Sequence, residues 1–225
     1  MIFLFISLTF PFINYILIYE YILIYEEARI IMHKIITLKS MSLSKRLTLT
    51  ALFCALCCVS TAVVTVPLPA SGYFNTGDVF VLLSAWCLGP IYGVLSASIG
   101  SALGDLLLGY ALYAPATFVI KGLNAFLACF VCWGLKKFIR KPSLDFLPRI
   151  LSATIGELVM IVGYFLFESI LYGFFGAIPN LLGNGLQAVC CIACATLIVS
   201  AFYHIKSVRN FFPPLKGFTP TRDVN

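Results

Sequence analysis

Four ionisable side chains lie inside long apolar stretches of this sequence: Asp105, Lys121, Glu157 and Glu168. A charged group at membrane depth is costly, and it usually belongs to a site that binds or moves something polar. Carboxylates and an ammonium group in one place can hold a small polar ligand. The alternative is that Asp105 and Lys121 form a structural ion pair with each other.

These side chains belong to polar stripes on four predicted helices. Glu157, Tyr164 and Glu168 are spaced seven and four residues apart, which places them on one helix face. The other stripes are Ser98, Ser101 and Asp105, then Lys121 and Asn124, and finally Asn180, Asn184 and Gln187. Hydrogen bonds between helices explain any one stripe alone. Four stripes, mostly in the outer half of the membrane, indicate a polar cavity for a small ligand.

No catalytic motif accompanies the stripes. The histidines are His33 and His204, and the H-E-x-x-H, G-x-S-x-G and P-loop patterns are absent from the sequence. The nine cysteines all fall in apolar runs without neighbouring histidines or carboxylates, which favours small helix-filling residues over a metal or redox site. The sequence therefore predicts a protein that is not an enzyme and holds no metal or cofactor.

The composition predicts an all-α polytopic membrane protein. Hydrophobic residues make up 61% of the chain and charged residues 11%, whereas a soluble domain has roughly 25% charged residues. The net charge of +6 comes from basic residues at helix ends. Because these residues do not form a basic face, we expect the lipid bilayer, not nucleic acid, to be the surrounding partner.

Six transmembrane helices are predicted after Lys45. Their approximate bounds are 47–66, 78–88, 91–109, 115–135, 149–172 and 179–203. One unbroken helix over 78–109 would be about 48 Å long, well beyond a hydrocarbon core of about 30 Å. Gly89-Pro90 is therefore predicted to divide it.

Basic residues predict the orientation of these helices. The loops assigned to the outside, 67–77, 110–114 and 173–178, contain no Lys or Arg. The segments assigned to the inside carry Lys45, Arg46, Lys136, Lys137, Arg140, Lys141, Arg149, Lys206, Arg209, Lys216 and Arg222. The positive-inside tendency then places both ends of the six-helix core in the cytoplasm, in a multi-pass cell-membrane protein.

The segment Pro67–Asp78, PLPASGYFNTGD, is the polar, turn-rich interruption between the first two helices. Its prolines and glycines end the helix and set tight turns. A simple connector is one interpretation. Because the segment lies above the four stripes, we predict a gating loop that includes Gly72, Tyr73 and Phe74. Within it, Asn75 and Asp78 are expected to contact a ligand or to latch the loop.

Residues 1–40 differ from the rest of the chain. The sequence YILIYE occurs twice in tandem, at Tyr15–Glu20 and Tyr21–Glu26. The segment is interpreted either as an extra membrane helix over about Ile2–Ile24 or as an over-extended start, with translation beginning at Met41, which we favour. A signal peptide fits poorly because a basic start and a cleavage site are missing. The predicted domains are thus a doubtful extension, 1–40, a six-helix substrate-binding domain, 41–205, and a cytoplasmic tail, 206–225.

Small residues line one side of two helices. The first helix has Ala51 and Ala55, and the third has a row of Gly93, Ala97, Gly100 and Gly104. Such faces let helices approach closely. They serve either packing within the chain or docking of another membrane protein.

Two stretches resemble a known family. These are GYFNTGDVFVLLSAWCLGPIYGVLSASIGSALGDLLLGYALYAPATFVIKGL (72–123) and ELVMIVGYFLFE (157–168). They resemble the substrate-binding S components of energy-coupling factor (ECF) vitamin transporters, in the riboflavin-type branch that includes carriers for thiamine precursors and pyridoxine-like compounds. The resemblance covers about residues 45–203.

The resemblance implies a six-helix protein that binds a vitamin from outside and docks on a transmembrane T component and two ATP-hydrolysing subunits. It implies that Ala51 and Ala55 contact the T component and that the first outer loop is a gate. The stripes, the loop and the resemblance together predict these ligand contacts: Asn75, Asp78, Asp105, Lys121, Asn124, Glu157, Tyr164, Glu168, Asn180, Asn184 and Gln187. The expected ligand is a small aromatic heterocycle of the pyrimidine, pyridine or flavin kind. The alternative function is a membrane scaffold without a small-molecule ligand.

Overall fold

The structure is a computed structural model that describes residues 42–68, 72–139 and 144–212. Its elements in chain order are α1 (Leu43–Val63), β1 (Thr65–Pro67), β2 (Tyr73–Asn75), α2 (Gly77–Leu107), α3 (Ala114–Phe138), α4 (Phe146–Tyr172), α5 (Phe174–His204) and α6 (Lys206–Phe211). Within the described ranges, the helices α1 to α5 are long and apolar enough to cross a membrane. The predicted all-α polytopic fold is confirmed. The predictions for residues 1–40 and for the end of the tail lie outside the described residues.

α2 consists of two helical halves separated by a sharp break. Gly89 has φ 81° and ψ −173°, which is not helical, and glycine adopts a positive φ at little steric cost. Pro90 follows and has no N–H to donate to the helix ladder. Ser84 Oγ donates to the carbonyl oxygen of Gly93 at 3.1 Å, so the two halves meet across the break. The predicted break at Gly89-Pro90 is confirmed, and the six predicted spans are these two halves and the other four long helices.

The polar segment between α1 and α2 contains a small β-hairpin, which was not predicted. β1 and β2 pair antiparallel, with Val66 opposite Phe74 and Pro67 opposite Tyr73. β-Branched and aromatic residues favour strands, and Gly72 has a positive φ of 80°. α1 consequently ends at Val63 instead of at the predicted Val66.

The row of small residues on α2 is used for packing within the chain. The Cα of Gly100 faces Cys54 and Cys57 of α1, and Gly104 faces Thr61 of the same helix. Gly93 faces the backbone of the first half of α2. The first half of α2 is therefore enclosed, with α1, α3 and α5 packed around α2 as a whole.

Charged residues gather at the end of the bundle opposite the hairpin. Asp145 forms ion pairs with Lys136, whose Nζ lies 3.0 Å from Oδ1, and with Arg149, whose Nη2 lies 2.7 Å from Oδ2, and so joins the end of α3 to the start of α4. The other end of α3 lies beside the hairpin, since the rings of Tyr73 and Tyr110 are 4.8 Å apart. The basic end and the hairpin end thus lie a helix length apart, as the predicted orientation requires.

Adding one methyl group at Gly100 is expected to destabilise the fold. A Cβ at this position meets the backbone oxygen of Cys54 and the Cβ of Cys57, and overpacking of this kind costs about 1–3 kcal/mol. Gly134→Ala on α3 is the matched control, since no described atom lies within 4 Å of a Cβ there. Reversible unfolding in mixed detergent micelles measures both variants. Equal stabilities for the two would contradict the proposed α1–α2 packing.

Candidate functional site

A polar cavity lies beside the hairpin, between the adjoining ends of the helices. Its enclosed volume is about 30 Å³. Nine of the residues predicted from the sequence line it, namely Gly72, Tyr73, Asn75, Asp105, Lys121, Tyr164, Glu168, Asn184 and Gln187. The hairpin and helices α2 to α5 therefore all contribute predicted residues to one cavity.

A buried ion pair lies at one wall of this cavity, with Lys121 on the lining and Asp78 behind it. Lys121 Nζ lies 2.6 Å from Asp78 Oδ1, and the two residues are 2% and 0% exposed. The proposed alternative pairing of Lys121 with Asp105 is wrong. Asp78 is the partner because the first turn of α2 lies against α3. Residue spacing within a single helix does not reveal this contact between helices.

The ion pair is connected to the hairpin through one amide side chain. Gln187 Nε2 donates to Asp78 Oδ2 at 2.5 Å. Gln187 Oε1 accepts from the backbone N–H of Asn75 at 2.8 Å. The side chain of Asn75 in turn accepts from the backbone N–H of Gly77 at 2.8 Å, at the start of α2. One hydrogen-bonded chain therefore joins α3, α2, α5 and β2.

A second set of contacts holds the rim of the cavity. The Tyr73 hydroxyl donates to Asp105 Oδ1. Burial raises the pKa of the Tyr73 phenol above its ordinary value, and the adjacent Asp105 carboxylate adds to the increase. The phenol thus stays protonated and remains a donor. On the opposite wall, the Thr117 and Tyr164 hydroxyls lie 2.9 Å apart.

Several buried oxygens on the cavity wall lack a hydrogen-bond partner among the described residues. They are Ser101 Oγ, Asp105 Oδ2 and Glu168 Oε2. Buried polar atoms are nearly always paired, and leaving one unpaired costs free energy. Oxygens of this kind on the wall of a cavity are suited to accept hydrogen bonds from a ligand.

Comparison with known proteins assigns the chain to a family. Residues 41–204 match the family model of the ECF-type riboflavin transporter, S component. The chain belongs to this family. The predicted resemblance is therefore confirmed, and the chain is a substrate-binding component of a transporter in a multi-pass membrane fold.

Two further proteins are similar to this S component. A Pyrococcus woesei protein described as "Uncharacterized protein in gap 3'region" is 35% identical over 132 residues, which is 58% of this chain and 83% of the relative. A solved structure titled "Structure and mechanism of the S component of a bacterial ECF transporter" matches with a TM-score of 0.54 and 18% identity. The match covers 76% of this chain and 98% of the solved chain. At this identity the match shows a shared fold.

Four predicted ligand contacts of the S component lie behind the cavity wall instead of on it. They are Asp78, Asn124, Glu157 and Asn180, which are all buried. Asn124 Nδ2 donates to Glu157 Oε1 at 3.2 Å, and Asn180 Nδ2 donates to Glu168 Oε1 at 2.9 Å. Asp78 and Asn180 contact lining residues, whereas Asn124 and Glu157 contact each other, and the role of all four as ligand contacts stays a prediction. Phe74 likewise pairs with Val66 in the hairpin and does not line the cavity.

Other lining residues were missing from the predicted site. They are Thr61, Leu68, Ser101, Tyr113 and Thr117. Ser101 belongs to the predicted stripe of Ser98, Ser101 and Asp105, and Thr117 precedes Lys121 by four residues. Helical spacing could therefore have placed both residues on the cavity-facing side of their helices. Thr61, Leu68 and Tyr113 lie near element ends, where spacing along one helix carries no such signal.

No metal site accompanies the cavity within the described ranges. Among those residues, no group of three or more His, Cys, Asp or Glu side chains is placed to hold an ion. The residues that line the cavity carry hydrogen-bonding groups and aromatic rings.

Breaking the Lys121–Asp78 pair is expected to destabilise this S component. Lys121→Met leaves a buried carboxylate without its cation, a loss of about 3–5 kcal/mol. The double variant Lys121→Met/Asp78→Asn removes both charges, so it should lose less than the sum of the two single variants. The free energy of unfolding in mixed micelles gives this coupling. Strictly additive losses would show that the two groups do not stabilise each other.

Proposed function

We propose that this S component binds a vitamin or vitamin precursor from the outer side of the cell membrane. The ligand is a small aromatic heterocycle of the pyrimidine, pyridine or flavin class. The observation that supports this most directly is the set of unpartnered buried oxygens, Ser101 Oγ, Asp105 Oδ2 and Glu168 Oε2, on the wall of a cavity among the membrane helices. A ligand with N–H or O–H groups satisfies these atoms.

Aromatic side chains supply flat surfaces for such a ligand. Tyr73, Tyr113 and Tyr164 line the cavity. Lys121 Nζ lies 5.3 Å from the centre of the Tyr164 ring, which holds this ring against the ion pair. Stacking on one ring and hydrogen bonds around the ligand edge are the usual way in which a mostly apolar pocket orients a heterocycle. Asn184 supplies a neutral amide on the opposite helix.

The hairpin is proposed to gate the cavity. The Tyr73 hydroxyl donates to Asp105 and the backbone N–H of Asn75 donates to Gln187, so both hydrogen bonds help to hold β2 to the helices. Both contacts involve residues that also line the cavity. Outward movement of β2 would break both bonds and expose the cavity. In this proposal Gly72, Tyr73 and Phe74 form the moving part.

Transport is proposed to need partner subunits. Ala51 and Ala55 are exposed on α1, and the neighbouring Leu47 and Leu52 are 54% and 52% exposed. A small-residue face of this kind allows another membrane helix to approach closely. We propose that a T component docks there and that two ATPase subunits drive the uptake, with no catalysis by the S component itself.

We expect the purified protein to bind one small heterocycle tightly in the absence of ATP. Native mass spectrometry of the protein in detergent identifies a co-purifying compound, and calorimetry gives its affinity. Asn184→Ala should weaken binding at least tenfold because it removes a hydrogen-bonding group from the cavity wall. Ser200→Ala on the same helix is the control, since Ser200 Oγ donates only to its own helix, at Thr196 O, in the described structure.

Failure to find any ligand would contradict the proposed function. The specific outcome is that nothing co-purifies and that no vitamin or precursor raises the unfolding temperature. That result would favour the alternative function, a membrane scaffold.

Tyr73→Phe is expected to accelerate ligand exchange about tenfold or more. The change removes a hydrogen bond to a carboxylate, which contributes about 1.5–3 kcal/mol, while it retains the ring. Stopped-flow exchange of the co-purified compound measures the rate. Tyr92→Phe, in the second half of α2, is the matched control because Tyr92 packs on the hydrophobic core. An unchanged rate in Tyr73→Phe would show that the hairpin does not gate the cavity.

A further inference from the structure

We propose that helix α3 carries a binding site for an anionic phospholipid at the basic end of the bundle. The site consists of three outward-facing rings, Phe126, Phe130 and Trp133, here called the aromatic ridge, and of Lys137, which follows the ridge by one helical turn. These four residues do not line the polar cavity. The inference therefore goes beyond the proposed function and does not rest on it.

The aromatic ridge is a continuous apolar surface on one face of α3. Its members and Lys137 are spaced four, three and four residues apart, which places all of them on the same face. The ring centres of Phe126 and Phe130 are 5.9 Å apart with 12° between the ring planes, and those of Phe130 and Trp133 are 6.3 Å apart. Phe126 and Phe130 are 43% and 45% exposed. The ridge thus faces the surroundings of the bundle.

The length of the ridge matches one leaflet of a bilayer. The distance along the helix from Phe126 to Lys137 is about 16 Å at 1.5 Å per residue. Half of a hydrocarbon core of about 30 Å is about 15 Å. An acyl chain in this leaflet can therefore follow the rings from the middle of the membrane to its surface. Aromatic side chains have few rotatable bonds, so they lose little conformational freedom when they bind.

Lys137 places a cation at the surface end of the ridge. Its Nζ lies 4.3 Å from the centre of the Trp133 ring, in a cation–π contact. Tryptophan is enriched at the level of the lipid head groups, which is the depth expected for Trp133 at this end of α3. The phosphate of a lipid whose acyl chain lies on the ridge would therefore meet the ammonium group of Lys137.

The neighbourhood of Lys137 favours a negatively charged head group. The segment 133–152 contains five basic residues and a single acidic residue, Asp145. Asp145 already lies between Lys136 and Arg149, at 3.0 Å and 2.7 Å, at the junction of α3 and α4. Basic groups between membrane helices attract the head groups of anionic lipids, and the leaflet on the cytoplasmic side, where the predicted orientation places this end, is the anionic one.

An anionic phospholipid matches both parts of the site. A phosphate ion alone would meet the cation and leave the aromatic ridge uncovered. A zwitterionic phospholipid would cover the ridge, but it carries no net charge and brings a second cation to a basic surface. An anionic phospholipid covers the rings with its acyl chain and supplies a net negative charge beside Lys137.

Quenching of tryptophan fluorescence by brominated lipids tests this proposal. The chain has two tryptophans, and Trp86 is only 5% exposed, so brominated acyl chains reach Trp133 in preference. Trp133→Phe gives the background from Trp86. The full chain is placed in bilayers in which either phosphatidylglycerol or phosphatidylcholine, with the same acyl chains, is the brominated component. We expect phosphatidylglycerol to bind at the ridge at least threefold more tightly than phosphatidylcholine.

Lys137→Gln should lower this ratio of binding constants to about one, because it removes the charge at the end of the ridge. Lys137→Arg should keep the ratio, since the charge and the contact with the Trp133 ring are retained. Lys206→Gln is the matched control, because Lys206 is an exposed basic residue on α6, outside the ridge. It should leave the ratio unchanged.

Phe130→Ala tests the apolar part of the site. Removal of the central ring should weaken the binding of phosphatidylglycerol at Trp133 at least twofold, because the acyl chain loses contact area. Phe118→Ala is the matched control, since Phe118 lies near the other end of α3 and is 44% exposed, against 45% for Phe130.

Three results would overturn the proposal. The first is equal binding of the two lipids, or a ratio that does not change in Lys137→Gln. The second is displacement of phosphatidylglycerol by inorganic phosphate at constant ionic strength, which would indicate a site for a phosphate ion. The third is a lack of quenching by either lipid, which would show that a protein partner or a second copy of the chain covers the ridge. These measurements do not involve the polar cavity, so each result leaves the proposed function unaffected.

Discussion

The buried ion pair between Lys121 and Asp78 is the interaction on which the rest of the site depends. Removing two charges from water is costly, and only close pairing with further hydrogen bonds compensates for it. Here Gln187 supplies one such bond to Asp78 and another to the backbone of Asn75. The same network therefore stabilises the helix packing, forms the cavity wall and holds the hairpin. A ligand that disturbs one of these contacts affects the other two.

The membrane explains why the polar residues converge. A polar side chain cannot be satisfied by hydrocarbon, so the stripes of α2, α3, α4 and α5 must face one another. Close approach of α1 to α2 depends on Gly100 and Gly104, where a larger residue would meet the backbone or side chains of α1. The exterior is left apolar, and the interior keeps a polar cavity near the hairpin.

Some polar groups of the cavity stabilise the fold, and others remain for a ligand. Lys121, Gln187 and Tyr73 already have partners within the chain. Asp105 Oδ2, Glu168 Oε2 and Ser101 Oγ remain without one in the described structure. Leaving them unpaired lowers stability, and a ligand with matching donors would recover that free energy. This arrangement fits a substrate-binding component of a transporter, the family to which the chain belongs.

The sequence alone determined the membrane class, the break at Gly89-Pro90, the polar stripes and the family, because composition, local backbone chemistry and helical spacing are local properties. The tertiary structure decided which stripe residues reach the cavity. Glu157 and Asn180 share stripes with Tyr164 and Asn184, yet they lie behind the wall, since a small rotation of a helix moves a residue from the lining to the layer behind it. The tertiary structure also decided that Lys121 pairs with Asp78 and that the strand Thr65–Pro67 pairs with the strand Tyr73–Asn75. Both contacts join separate segments, and only the packing of the helices brings those segments together.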